Sequence, residues 1–166
     1  MTITRSWIFS FATLLVAGLA GLTSVNREAA AQSEQKVLAS AEFNNDPNLR
    51  CDLLEVKRVS GGALNIRWRI VNTAGGAGGL TGTAGKTIYY TFGWDQLYFI
   101  DPVENKKYGF LTDSAGNRIL QVTSENYSAG QQRGQWAKFP APPAASKKIT
   151  IYIPNFPPFD DIAISE

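Results

Sequence analysis

A chain of 166 residues with 16 basic and 14 acidic side chains, one cysteine and no histidine leaves out much chemistry from the start. Without histidine there is no Ser-His-Asp or Cys-His arrangement and no histidine metal site, which argues against zinc and haem. A formal charge of +2, with no Lys/Arg run longer than two, offers no track for phosphates and argues against nucleic acid as a partner.

The N-terminus carries Arg5, then an apolar run from Trp7 to Leu22, then the small residues Ala29, Ala30 and Ala31. That order reads as a secretory signal peptide over residues 1–31, cut before Gln32. The run holds sixteen residues before Thr23, Ser24, Asn26, Arg27 and Glu28 intervene. A spanning helix needs about 20. The competing readings are an earlier cut within residues 17–20 and an uncleaved anchor, the latter giving the chain its only link to a membrane. No twin-arginine pair precedes the run, so the general secretion route is expected. A periplasmic, cell-envelope or extracellular destination follows. Such a destination lacks ATP, and no cofactor is expected.

Setting aside residues 1–31, which hold Arg5, Arg27 and Glu28, leaves 135 residues with 14 basic and 13 acidic side chains, enough for one domain. Residues 32–49 are polar and turn-prone and are read as a flexible tether. From residue 50 onward, short β-branched and aromatic runs alternate with Gly, Asn, Asp and Pro clusters, which predicts an all-β domain over 50–166. Strands are expected at 51–59, 63–72, 87–92, 96–100, 107–112, 135–139, 148–154 and 161–165. The clearest is 63–72, where Leu64, Ile66, Trp68 and Ile70 alternate with Asn65, Arg67 and Arg69. Ser60, Gly61 and Gly62 should turn it against its predecessor. Seven or eight strands at this spacing fit an immunoglobulin-like sandwich with Trp68 in its core. Cys51, flanked by Leu49, Leu53 and Leu54, has no partner for an intramolecular disulfide and is expected to be buried. The prolines at 140, 142, 143, 157 and 158 should mark edges or sheet crossings.

Three motifs invite a functional reading. The glycine-rich stretch 74–87 ends in Gly85, Lys86 and Thr87, as a phosphate-binding loop would, but Leu80 stands where that motif needs its first glycine. Strand-forming residues follow it instead of a helix, so no nucleotide site is expected. Carboxylates could serve glycoside hydrolysis. However, Asp95, Asp101, Glu104 and Asp113 sit at turns, and Asp160 and Asp161, adjacent on a strand, should face opposite ways. Asp113 and Asn117 lack the wider pattern of a calcium loop, and no metal or catalytic residue is assigned. The third motif is aromatic. Tyr89, Tyr90, Phe92, Trp94, Tyr98 and Phe99 crowd together, with Trp136 further on. Tyr90, Phe92 and Trp94 share one strand face and Tyr89 the other. One set should be core, and Tyr89, Trp94 and Trp136 are the candidate ligand-binding residues.

The segments LNIRWRIVN at 64–72, LYFIDPVENKKYGFLTD at 97–113, WAKFPAPP at 136–143 and ITIYIPNFPPFDDIAI at 149–164 resemble small exported bacterial immunoglobulin-like domains of unknown function. These are of the kind found beside OmpA-type envelope proteins. The resemblance implies a fold and a compartment and carries no catalytic residues. The expected function is therefore a non-enzymatic module that binds a protein partner in the cell envelope. It would do so through sheet edges or through the loops bearing Gly75 to Gly85 and Trp94. The alternative is a polysaccharide-binding domain using Tyr89, Trp94 and Trp136, and a carboxylate-based hydrolase comes third.

Overall fold

The computed structural model describes residues 36–74 and 86–166, so the expected signal peptide at 1–31 and the glycine-rich stretch at 75–85 lie outside the described residues. In chain order the strands are β1 (Ala39–Phe43), β2 (Asp46–Val59), β3 (Ala63–Asn72), β4 (Ile88–Tyr90), β5 (Tyr98–Asp101) and β6 (Lys106–Gly109). There follow β7 (Leu120–Gln121), β8 (Glu125–Tyr127), β9 (Gln132–Pro140), β10 (Lys148–Tyr152) and β11 (Phe159–Ala163). Among the described residues there is no α-helix. The strands form a five-stranded antiparallel sheet ordered β1-β2-β3-β9-β7, a four-stranded sheet ordered β11-β10-β5-β6, and the ribbon β4-β8.

The alternation in β3 produces the expected division: Leu64, Ile66, Trp68 and Ile70 are fully buried, and Arg67 is exposed. Gly61 and Gly62, with φ of 81° and 70°, close the β2–β3 turn in a left-handed conformation that a Cβ resists. The inner faces of the two larger sheets meet in one core, where Phe99 of β5 packs edge-on against Phe139 of β9 at 5.6 Å between ring centres. This arrangement is sandwich-like. Cys51 is buried in the same core, as expected, and burial pushes its thiol pKa well up, with the charge of Asp52 adding to the shift.

The structure departs from the sequence reading at several points. Residues 39–43 and 46–49, assigned to the tether, are strand: β1 and the start of β2 pair with each other. Phe43 is the reason, because its ring packs against Tyr90 at 5.8 Å and Phe156 at 5.5 Å, tying a polar segment to the core. The strand expected at 87–92 shrinks to Ile88–Tyr90, and Gln96 belongs to a 3-10 turn, Trp94–Gln96. The last strand begins earlier, at Phe159. Asp160 and Asp161 are both exposed rather than on opposite faces, because a register shift against β10 and a φ of 54° at Asp161 break the alternation. The flanks of the glycine-rich stretch are held: the Asn72 amide donates to the carbonyls of Lys86 (2.8 Å) and Tyr127 (2.7 Å), and Lys86 pairs with Asp46.

Arg58, at the end of β2, gathers the proline-rich turn after β9. Its guanidinium donates to the carbonyls of Pro142 (2.6 Å), Pro143 (2.8 Å) and Ser146 (3.1 Å). Its Nε lies 3.5 Å from the Glu166 carboxylate. A planar fork of donors suits three carbonyls that have no strand partner. Arg58→Ala should cost about 2–3 kcal/mol, with Arg58→Lys recovering only part of it. Thermal unfolding measures this, and an unchanged melting temperature would mean that water serves those carbonyls equally well.

Candidate functional site at the open edge of β9

The three aromatic residues singled out from the sequence fall on separate elements. Tyr89, in β4, is 56% exposed, while its neighbours Tyr90 and Phe92 are core. Trp94 lies in the 3-10 turn rather than on a strand. Trp136, in β9, is half-buried opposite Gln121 of β7 and Arg67 of β3, and its indole N–H donates to Gln121 Oε1 at 3.0 Å. No ring contact joins Tyr89 to Trp136 among the described residues.

Trp136 instead borders a feature of the backbone. Strand β9 pairs with β3 along its whole length, Ala63↔Pro140 to Val71↔Gln132, but with β7 only at Trp136 and Ala137. The direction of its backbone groups follows from the flanking hydrogen bonds. Gln131 accepts from Asn72 at 2.9 Å and Ala141 donates to Gly62 at 2.8 Å, so odd-numbered residues face β3. Lys138 donates to Ile119 at 3.0 Å and accepts from Leu111 at 2.7 Å on the other side, so even-numbered residues face away. Trp136 and Lys138 are therefore occupied, whereas the N–H and C=O of Gln132 and Gly134 have no described backbone or side-chain partner. Both residues are exposed. The strand that should continue along them turns off after Gln121 to become β8 and pair with β4.

The divergence opens a cleft of about 280 Å³ between residues 133–135 of β9 and the wall formed by residues 121–123 and Glu125. Its rim is charged: Arg133 lies 3.6 Å from Glu125, which also accepts from the Thr123 hydroxyl at 2.8 Å. Behind it the Gln135 amide donates to Tyr127 Oη (3.2 Å) and to the Thr123 carbonyl (3.4 Å), and its Oε1 accepts from the Trp68 indole at 3.0 Å. Burial, followed by the charge of Glu125, pushes the Tyr127 phenol pKa up. The outer face beside the edge carries two arginines. Arg67 is exposed and makes no ion pair among the described residues, with Glu55 of β2 as its cross-strand neighbour, and Arg69 lies opposite Gly134, engaged with Asp52 at 2.9 Å. A Cβ at Gly134 would meet nothing within 4 Å, so the glycine leaves open space between these side chains.

Sequence reading passed over Gly134, although a lone glycine inside a strand pattern is itself a sign of close backbone approach. Thr123, Glu125 and Arg133 carry no such sign. Among the described residues, no group of three or more Cys, Asp or Glu side chains gathers as metal ligands would. What the cleft offers is two unpaired peptide groups, an ion pair and an aromatic border. No protein-family model, curated protein or solved structure matches the chain.

Proposed function

We propose that this chain is an exported, non-enzymatic interaction module of the cell envelope that captures a protein partner by adding an extended segment of it to the free edge of β9. The observation that carries the reading is the unpaired, exposed backbone at Gln132 and Gly134 in a strand that is paired on its outer side at Trp136 and Lys138. Such a row of donors and acceptors templates another strand. The added residue facing Gly134 would lay its side chain over the outer face, in the space the glycine leaves. Arg67 stands beside it with no ion pair among the described residues, so an acidic side chain at that place finds its complement. In this reading the disulfide-free all-β fold around Trp68 is an immunoglobulin-like sandwich, delivered by residues 1–31 acting as a signal peptide.

Two measurements test the strand-addition reading. In the free protein, the amides of Gln132 and Gly134 should exchange with solvent far faster than those of Arg133 and Gln135, and should become protected on partner capture. Gly134→Pro removes an N–H that faces solvent, a position where an edge strand tolerates proline. Its melting temperature should stay close to that of the parent. Capture from envelope extract by tagged residues 32–166 should fall at least tenfold, and protease treatment of the extract should abolish it. Undiminished capture by a folded Gly134→Pro variant would overturn strand addition.

A further inference from the structure

The outer face of the four-stranded sheet holds a second set of groups that the fold leaves unused, and they share no residue with the β9 cleft. Tyr98 and Tyr152 are direct cross-strand partners, and their rings stack with centres 4.5 Å apart and planes 16° from parallel. Lys107, on the strand beyond Tyr98, places its ammonium 3.8 Å from the Tyr98 ring centre. The strand order β10-β5-β6 puts Tyr152 and Lys107 on opposite sides of Tyr98. Tyr98 is thereby covered on both faces, while the outward face of Tyr152 has no ring or cation against it among the described residues. At one end of this stack lies a cavity of about 260 Å³, bounded by Asn44, Gln96 and Asn155 and floored by Ile153, Pro154 and Phe156.

The chemistry of this lining is unusual in one respect: it is rich in hydrogen-bonding groups and contains no ion. The Tyr98 and Tyr152 hydroxyls and the Asn44 and Gln96 amides make no hydrogen bond among the described residues. Asn155 spends its Nδ2 on the Thr91 carbonyl at 2.8 Å and keeps its Oδ1. Amides and phenols offer donors and acceptors together, as a polyol requires, and tyrosine rings offer a face for C–H groups. An anion would find no cation lining the cavity, and an added strand would find no free strand edge in its wall. The site is also held in place. The Asn44 N–H donates to the Asn155 carbonyl at 3.0 Å, locking the β1–β2 turn to the turn after β10, where Asn155 sits at φ 64°. Preorganised groups lose less freedom when a ligand arrives. The volume falls just below the ~300–1,000 Å³ typical of pockets for drug-sized ligands, which suits a single sugar ring.

We propose that this cavity is a binding site for a neutral sugar residue, with Tyr152 as its stacking surface and Asn44, Gln96 and Asn155 as its hydroxyl-reading groups. The proposal is independent of strand addition at β9. It is tested by titrating the protein with glucose, galactose, mannose and N-acetylglucosamine, and with short oligomers of each, while following the side-chain amide resonances of Asn44, Gln96 and Asn155. At least one neutral sugar should shift these resonances saturably. Tyr152→Ala should weaken that sugar by about tenfold, and Tyr98→Phe, which removes only a hydroxyl, by about threefold. Gly134→Pro and Trp136→Ala should leave it unchanged, which separates this site from the β9 edge. The proposal fails if no neutral sugar produces a saturable shift up to its solubility. It fails equally if only charged sugars do, or if folded Tyr152→Ala and Tyr98→Phe variants bind as the parent does.

Discussion

Replacing Trp68 with alanine should lower the stability of the folded domain by about 4–5 kcal/mol and its melting temperature by roughly 15–20 °C. The indole is fully buried at the middle of β3, between β2 and β9, so truncation leaves a cavity that two paired strands cannot close. It also strips a partner from Gln135, whose Oε1 accepts the indole N–H at 3.0 Å. Gln135 is itself buried and spends its amide on Tyr127 and Thr123, so its Oε1 loses the one partner described for it. An unsatisfied buried acceptor costs about 1–3 kcal/mol beyond the lost packing. Trp68→Phe separates the two contributions, since it keeps an aromatic ring and removes the donor, and about 2–3 kcal/mol should be lost. Pairing it with Gln135→Leu should give back about 1 kcal/mol relative to the sum of the single changes. Denaturant unfolding of the four proteins measures the coupling. Strict additivity would show that the Trp68–Gln135 hydrogen bond contributes nothing of its own.

The same network shows which parts of the molecule the sequence made legible. β3 was readable because its period-2 pattern is complete over ten residues, and the glycine pair before it has one conformational use. Trp68 and Cys51 were readable as core for the same local reason. β1 was not, because Ala39–Phe43 contains one large apolar residue. What fixes it is non-local, namely Phe43 against Tyr90 and Phe156 and Ser40 against Asp52. β7 and β8, at two and three residues, are too short to carry a period. The aromatic residues were visible as a class, but their partners were not. Tyr98 meets a tyrosine 54 positions away, while Tyr89, one of the three candidate ligand-binding residues, makes no ring contact among the described residues. The β9 edge was hidden for a different reason. It is defined by a strand that turns away, and composition does not record where a neighbour stops pairing.

Stability should also fall steeply in acid, with Asp52 accounting for a distinct part of the fall. Asp52 lies on the outer face of the five-stranded sheet yet is fully buried, because side chains from three adjacent strands close over it. Its Oδ1 accepts from Arg50 Nε and the Ser40 hydroxyl, each at 2.7 Å. Its Oδ2 accepts from Arg69 Nε at 2.9 Å and Arg50 Nη2 at 3.1 Å. Ser40 and Arg69 are its direct cross-strand partners on β1 and β3, so one carboxylate pins the register of β1, β2 and β3. Burial pushes its pKa up, but the hydrogen bonds from Arg50, Ser40 and Arg69 and the charge of Arg50 outweigh burial and hold it below the ordinary value. A carboxylate held low in the folded state stabilises the protein above its unfolded pKa of about 3.9, and that contribution disappears as pH drops through the folded value. Asp52→Asn should therefore cost about 2–3 kcal/mol at pH 7, where the parent carboxylate is ionised and four-fold bonded. Below about pH 4 the parent loses the same contribution while the variant has none to lose, so the two stability curves should converge. Asp46 and Asp113 remain in the variant, held low by Lys86 and by Asn117 respectively, and they keep some acid slope in both proteins. Urea unfolding of parent and variant from pH 7 to pH 2 decides the matter. Curves that stay parallel across that range would mean that Asp52 contributes shape to the sheet and no charge.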